Sequence, residues 1–425
     1  MAADSAVTIS SHGGQMKTYD TVNKLFELIK GQPVGVMVYA NAELNGVPWE
    51  TIIKTYRSER STGSFDDLHE YYVDFCAFLA SNTELFKLDD ENFAALNTTY
   101  VALNFVFKEL TDGFGGCVTK AGKVVNTALR RLIKSAIEKS KGDLFQLDEA
   151  PWAASLSLKT LRARFGNLIQ ALIQERFKNF NLTAKEQRDL ESYALESMRR
   201  IWRDSNESGL VIAGFGNHDY FPKLYSTNIR CRLEGTLLAT DPEHVEVSVQ
   251  APSHLQTFAQ DEMAWGFLSG INDEVRARIM DFWREWSHGC TDEIGSLIRK
   301  DVSGLDEPQL EAICKTVENA NIAKFREFLQ HMQDQETENY LAPIWQSISM
   351  LPKDELGLVA ESLVNLTSLK QRMSIYDAQT VGGAIDVALI SRGDGFVWLK
   401  RKHYFSGELN PSWHLTHSGQ SNIIK

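Results

Sequence analysis

The sequence VNKLFELIKGQPVGVMVYANAELNGVPWETI, residues 22–52, decides which fold we expect. It contains two apolar runs of strand length, VNKLFELI and PVGVMVYA, with a Gly-Gln-Pro turn between them and a helix from about Val47. Runs of this length, broken by glycine and proline, predict a β-meander that continues into a helix. The segment MAADSAVTI at residues 1–9 also has the composition of a strand, and no other strand precedes it. We therefore expect it to correspond to the second strand of a sheet.

Length and composition restrict the class of protein. The chain has 425 residues, 43% of them hydrophobic and 24% charged, and its net charge of -12 gives no overall attraction for nucleic acid. The five cysteines lack CxxC spacing and predict reduced thiols, not a disulfide or zinc framework. The sequence contains no apolar run of roughly 20 residues, as a membrane helix needs, and no signal-peptide pattern. We expect a cytoplasmic protein that needs no cofactor and contacts neither nucleic acid nor membrane.

Between residues 61 and 206 the apolar residues recur at helical spacing. Helices are predicted over about Ser64–Ala80, Asp89–Leu110, Val124–Lys141, Ser157–Phe180 and Thr183–Asp204. Thr183 and Glu186 have the spacing of a capping box at the start of the last helix. The basic residues from Lys120 to Lys141 are more typical of one helix face than of a nucleic-acid site. The apolar stripe predicted for the second helix, expected to be buried, is Phe93, Leu96, Tyr100, Leu103, Val106 and Phe107.

Strands return at residue 208 and again near the end of the chain. GLVIAGFG (209–216), KLYSTNIRCRLEG (223–235) and HVEVSVQ (244–250) are predicted strands, and the last places Val245, Val247 and Val249 on one face. Helices are then predicted over about Asp261–Trp286, Asp306–Gln335 and Asp354–Arg372. GGAIDVALISR and FVWLKRKHYF, joined by a Gly-Asp-Gly turn, form a predicted hairpin. The order of strands, helices, strands, helices and strands predicts an α+β protein.

Three segments resemble subunits of proteasome-type N-terminal-nucleophile hydrolases. They are AADS with the following lysine-bearing strand and GVMVYANAELNGVPWETI, then GLVIAGFGNHDYFPKLYSTNI, and finally TVGGAIDVALISRGDGFVWL. The resemblance implies one domain over 1–425, an αββα four-layer sandwich whose core strands lie in about 1–57, 208–262 and 377–405. Two helical insertions, at about 61–206 and 273–369, would expand both helical layers, and a polar tail follows at 406–425.

The resemblance also implies site residues. Members of the family use the side chain of the first residue after processing as nucleophile and its α-amine as base. Asp4 and Lys24 match the aspartate and lysine that set the charge of such a site. Ala40 or Asn41 would supply the backbone N–H of the oxyanion hole. Asp377 and Thr380 stand nearest to the family's supporting carboxylate and hydroxyl, whereas its supporting serine has no match near Gln260 and Asp261.

The nucleophile has no counterpart among residues 1–425, because the family places it before AADS. We expect a start upstream of Met1 that supplies the nucleophile, and therefore no activity from the 425-residue form. The implied function is hydrolysis of a peptide or amide substrate by a homo-oligomer. The alternative is a non-catalytic interaction or scaffold protein that keeps the fold.

Simpler interpretations of the same residues stay open at this point. Asp4 is of a type common in turns, and Lys24 could lie on the exposed face of a strand. His218 and Asp219 follow an apolar strand, but without paired histidines or cysteines they are more typical of a polar loop than of a metal site.

Overall fold

The computed structural model describes residues 1–10, 16–60, 63–118, 124–202, 206–259, 262–302, 304–373, 381–403, 405 and 407–410. It combines helices with antiparallel sheets, which confirms the α+β class and the predicted order of the elements. Most of the predicted polar tail, from residue 411 onwards, lies outside the described residues. None of the helices in these ranges has both the length and the apolar character needed to cross a membrane.

The longest strands are β5, β8 and β9, and most of the other strands have two to four residues. They are β1 (Ala2–Ala3), β2 (Val7–Ser10), β3 (Met16–Tyr19), β4 (Leu25–Glu27), β5 (Val34–Ala40), β6 (Glu43–Leu44), β7 (Val47–Pro48), β8 (Ser208–Gly214), β9 (Lys223–Leu233), β10 (Thr236–Ala239), β11 (Glu243–Glu246), β12 (Asp386–Ser391) and β13 (Gly395–Lys400).

The helices fill the two long intervals between the strand groups, apart from the first helix. They are α1 (Trp49–Glu59), α2 (Leu68–Ser81), α3 (Leu88–Gly113), α4 (Asn126–Phe145), α5 (Leu158–Arg176), α6 (Ala184–Ser197), α7 (Glu262–Ser269), α8 (Asp273–Asp301), α9 (Glu307–Glu336), α10 (Ala342–Met350) and α11 (Lys353–Met373). The capping box predicted from Thr183 and Glu186 is present before α6 and is thereby confirmed.

The described chain divides into two compact units. The first comprises Met1, Val22–Glu246 and Ala388–Trp398, and the second comprises Ala2–Thr21, Val247–Val387 and Leu399–Lys425. The expected single domain over 1–425 stays a prediction, because two compact units can belong to one domain.

An antiparallel sheet organises the first unit. Its order is β10, β9, β8, β5 and β4, and β11 also pairs with β9. The register sets Val34 opposite Gly214 and Ala40 opposite Ser208, so strands separated by about 170 residues are direct neighbours. The helices α1 to α6 are therefore one long excursion of the chain between two adjacent strands.

One face of this sheet is covered by helices. The valines of β5 and the apolar residues of β8 pack with α1 and α2 into a cluster that contains the fully buried Trp49, Tyr56 and Phe75. A second cluster joins α3 to α6 to the ends of β9 and β10 at Cys231, Leu233 and Leu238. Burial of apolar area on this scale is the main favourable term in the folding of the unit.

The other face of the sheet comes very close to its neighbours at Gly35 in β5. A Cβ atom at this position would stand 2.8 Å from Ile390 Cδ1, 2.9 Å from Met1 Sδ and 3.0 Å from Phe396 Cε2. These distances are below normal carbon contact, so a larger residue here would have to displace the ends of these three side chains. Both faces of β5 are thus covered at this position within the first unit.

Gly35→Val is expected to lower the free energy of unfolding by about 1–3 kcal/mol, because overpacking displaces the three covering side chains. Urea denaturation measures the change. Gly142→Val on α4 is the matched control, since nothing lies within 4 Å of a Cβ there. A loss at Gly35 no larger than that at Gly142 would mean that the hairpin does not cover this face.

The second unit contains β1, the start of β12 and the helices α7 to α11. The three-stranded sheet has the order β1, β12 and β13, with Ala2 opposite Val387 and Ala3 opposite Asp386, and its hairpin residues 388–398 belong to the first unit. Strands β2 and β3 form a separate hairpin. Helices α8 and α9 form a long antiparallel hairpin, which the ion pairs Arg276–Glu336 at 2.8 Å and Arg299–Glu307 at 2.6 Å close at opposite ends.

Two predictions about local elements are wrong in part. In α3, Leu103 and Val106 are buried as predicted, but Phe93 and Tyr100 are exposed, and small residues such as Ala95 take part in the buried stripe. Small side chains let neighbouring helices approach closely, and helical spacing alone does not reveal this. The strand predicted through HVEVSVQ ends at Glu246, because Glu246 pairs with Lys223, the first residue of β9, and the ladder has no partner beyond it.

Candidate functional site

Asp4 joins the start of the chain to the segment that begins at residue 381. Its Oδ2 accepts hydrogen bonds from the backbone N–H of Ala6 at 3.1 Å and of Gly382 at 3.0 Å. The fully buried Ser5 donates its backbone N–H to the carbonyl of Gly382 at 3.1 Å and its hydroxyl to the carbonyl of Ala384. The carboxylate predicted as a site residue therefore has a fixed position in the second unit.

A second carboxylate next to this junction was not predicted. Asp386 in β12 is only 2% exposed and is the register partner of Ala3. Its Oδ1 accepts the backbone N–H of Lys402 at 2.8 Å, and its Oδ2 lies 2.5 Å from Lys402 Nζ. The one signal in the sequence was an aspartate inside the apolar run AIDVALI. Its charge is balanced by a lysine of the same unit, as burial of an ion requires.

Lys24 lies in the first unit, directly before β4. Its carbonyl accepts the backbone N–H of Val38 at 2.9 Å, so it extends the ladder between β4 and β5 by one pair. Its side chain is half-buried. Val38 stands two residues before Ala40, and Lys24 is therefore at the end of the sheet where the predicted oxyanion turn begins.

That turn has an unusual backbone and several hydrogen bonds. Ala40 has a φ of 63°, in the left-handed region that residues other than glycine rarely adopt. Asn41 donates its side-chain amide to the carbonyl of Asn206 at 2.9 Å, and its carbonyl accepts the hydroxyl of Ser208 at 3.2 Å. The Asn41 backbone N–H faces the carbonyl of Glu207 at 3.4 Å, a long contact that it would have to give up to bind an oxyanion.

The remaining predicted site residues cannot be placed. Asp377 and Thr380 lie outside the described residues, and so do Gln260 and Asp261. Of the predicted set, the structure thus brings Asp4 to Gly382 in one unit and Lys24 to the start of the turn at Ala40 in the other.

The loop after β8 contains an ion cluster centred on Asp219. This carboxylate accepts the backbone N–H of Leu68 at 2.9 Å and lies 2.7 Å from Lys223 Nζ, which also contacts Asp67. Burial alone would lower the pKa of the Lys223 ammonium, but its hydrogen bonds and the charges of Asp219 and Asp67 outweigh burial and raise that pKa. The cluster therefore fixes the loop to the N-terminus of α2 and has a structural role.

The described residues offer few other groups with the geometry for chemistry. No group of three or more His, Cys, Asp or Glu side chains in the described ranges is arranged to hold a metal ion. The cysteines are free thiols, and burial raises the pKa of Cys76 to about 11, so its nucleophilic thiolate is scarce at neutral pH.

An apolar cavity of about 340 Å³ lies in the second unit between α7, α10 and α11. Phe267, Ile344 and Leu363 are among its walls, and its one hydroxyl, on Ser347, donates to the carbonyl of Pro343 at 2.9 Å. The size is within the range of ligand pockets, but no charged group is present to orient a ligand. The cavity can therefore take an apolar group without selecting its chemistry.

A comparison of the chain with protein-family models, with curated proteins and with solved structures found no match.

Proposed function

We propose that this chain carries the core of a proteasome-type N-terminal-nucleophile hydrolase, which cleaves peptide or amide bonds. The observation that carries the proposal is the pair of hydrogen bonds from Ala6 and Gly382 to Asp4. They join two of the three segments that resemble the family, although about 375 residues separate them in the sequence. A catalytic site built from residues of both segments requires that the two segments lie next to each other at AADS.

The first unit supports the proposal independently. The strand GVMVYA pairs with SGLVIAG along its whole length, so the resembling segments of the first and second strand groups are neighbours too. Lys24 extends the ladder on the other side of β5, close to the start of the predicted oxyanion turn. A compact ammonium placed near a nucleophilic hydroxyl would lower the pKa of that hydroxyl.

The four-layer sandwich belongs to the same proposal. Its support is that the sheet around β5 has helices α1 and α2 on one face and Met1 with Ile390 and Phe396 on the other at Gly35. A sheet covered by helices on one side and by a β-hairpin on the other is half of an αββα arrangement.

The decisive experiment examines the protein as its native host makes it. We expect N-terminal sequencing and intact mass to give a start upstream of Met1 at a freed Thr, Ser or Cys. A peptide electrophile should then add once, at that residue. The same protein with its N-terminus acetylated is the control and should take no adduct, because the α-amine is the base. A native chain that starts at Met1 or Ala2 and takes no adduct would contradict the proposal.

A non-catalytic interaction protein is the second candidate. The observation in its favour is the helical hairpin α8–α9, whose α8 exposes several large apolar side chains. A native start at Met1 combined with a stable complex through this hairpin would favour that function.

A further inference from the structure

The apolar cavity between α7, α10 and α11 reaches from the surface of the second unit to a buried side chain. Leu268 of α7, in its wall, is only 5% exposed, and Ile344 of α10 and Leu363 of α11 are also wall residues. Phe267, another wall residue, is 64% exposed, so the cavity opens to solvent on that side. A ligand can therefore enter without unfolding of the unit, and one end of it can stay in water.

The polar groups around the cavity are paired within the chain. The Ser347 hydroxyl donates to the carbonyl of Pro343 at 2.9 Å, and the Ser253 hydroxyl donates to the carbonyl of Trp345 at 2.8 Å. None of the described wall residues is charged. An ordered water needs about two to four polar partners, which this wall does not supply, and the wall atoms lose dispersion contacts while the space is empty. The occupant that these walls favour is a hydrocarbon group.

The size of the cavity favours a small molecule over a segment of another protein. Its volume of about 340 Å³ is more than twice that of a cavity of about 150 Å³ that binds benzene, so one inserted side chain leaves it partly empty. A peptide segment long enough to fill it would bring backbone N–H and C=O groups against walls that cannot pair them, which costs free energy. An alkyl chain has no such groups. At about 30 Å³ for each group the size of a water molecule, the cavity holds a chain of about ten carbon atoms.

We propose that this cavity binds the alkyl chain of a free single-chain amphiphile of about ten carbon atoms, whose polar head stays in water. Because the described wall has no charged residue to meet the head, the length of the chain determines the affinity and the head does not. Membrane lipids share the alkyl chemistry, and the experiment below separates the two sources. The proposal is independent of the hydrolase activity, since it uses only residues of α7, α10, α11 and the segment before α7.

The test titrates the full chain with hexanol, octanol, decanol and dodecanol by calorimetry. We expect one saturable site whose affinity rises about tenfold for every two carbon atoms up to about ten, because each buried methylene contributes a similar free energy. The gain from decanol to dodecanol should be small, because the additional carbon atoms stay in water. Decanoate should bind within about threefold of decanol, since only the head differs. The absence of saturable binding, or an affinity that rises as steeply beyond decanol as before it, overturns the proposal.

Ser347→Phe and Ser349→Phe form a matched pair of variants on α10. Both replace an exposed serine whose hydroxyl donates to a carbonyl of the same helix, but Ser347 lines the cavity and Ser349 is not among its wall residues. Ser347→Phe should abolish decanol binding, because the ring occupies the space of the chain, and Ser349→Phe should bind as the wild type does. Equal decanol binding by the two variants would contradict the assignment of the site.

Leu363→Ala gives a second measurement that does not depend on the filled variant. It removes three carbon atoms from the wall and enlarges the cavity, so the chain length at which the affinity stops rising should increase by about two carbon atoms. An unchanged limit means that the alcohols bind elsewhere and overturns the proposal. Sedimentation with phosphatidylcholine vesicles tests the other source. We expect the chain to stay in the supernatant, and its recovery with the vesicles would assign the site to membrane lipid and overturn the proposal of a free amphiphile.

Discussion

Glu91→Ala is expected to lower the free energy of unfolding by about 3–5 kcal/mol. Glu91 on α3 and Arg232 on β9 form an ion pair whose side chains are only 5% and 4% exposed. Glu91 also accepts the backbone N–H of Glu234 at 3.1 Å, and Arg232 donates its Nε–H to the carbonyl of Ala80 at 2.8 Å. Without the carboxylate, a buried guanidinium loses its counter-charge and the partly buried N–H of Glu234 loses its acceptor.

The same helix provides the control for this prediction. Glu109 pairs with Lys139 at 2.8 Å, but the two side chains are 45% and 58% exposed. An exposed pair of this kind contributes less than about 1 kcal/mol, so Glu109→Ala should change the urea midpoint only slightly. Both variants place alanine in α3, and helix propensity therefore cancels in the comparison. If Glu91→Ala and Glu109→Ala lower the free energy of unfolding by the same small amount, then water must reach the Arg232 side chain.

The sequence predicted those features that depend on neighbours along the chain. The strands β5 and β8 follow from apolar runs, β9 from a stretch rich in Leu, Tyr, Thr and Ile, and the capping box at Thr183 from a spacing of three residues. The pairing of Glu91 with Arg232 could not be predicted in this way, because 141 residues separate them and either residue alone resembles a surface charge. Contacts of this kind are fixed only once the sheet brings α3 onto β9.

The same distinction applies to the residues of the candidate site: some could be predicted from the local sequence and others could not. Asp4 and Lys24 could be named because each stands in a short segment that resembles a known family. Asp386 could not, since nothing near it in the sequence shows that Lys402 will balance its charge. The exposure of Phe282 and Trp286 in α8 could not be predicted for a different reason: apolar residues at helical spacing indicate a buried face, and the spacing does not show whether the chain itself covers that face.

Lys24→Ala is expected to reduce amide hydrolysis by at least about a hundredfold, the usual cost of removing a group that stabilises charge at a reacting centre. The measurement uses the protein as its native host makes it, with a fluorogenic peptide amide as substrate. Lys30→Ala is the control, because Lys30 is exposed in the turn after β4 and should leave the rate unchanged. The urea midpoint of each variant is measured alongside, and an unchanged midpoint shows that a loss of activity does not arise from unfolding.

A third variant separates the charge of Lys24 from its shape. Lys24→Arg retains a positive charge, but a planar guanidinium cannot occupy the position of a compact ammonium. If Lys24 acts by its field on the nucleophile, the arginine variant should keep part of the activity and should shift the pH dependence less than the alanine variant does. If Lys24 donates a hydrogen bond at one fixed position, both variants should be equally inactive. A fully active Lys24→Ala enzyme would refute the assignment of Lys24 and leave the hydrolase proposal itself standing, because that proposal is carried by the hydrogen bonds that join Asp4 to Gly382.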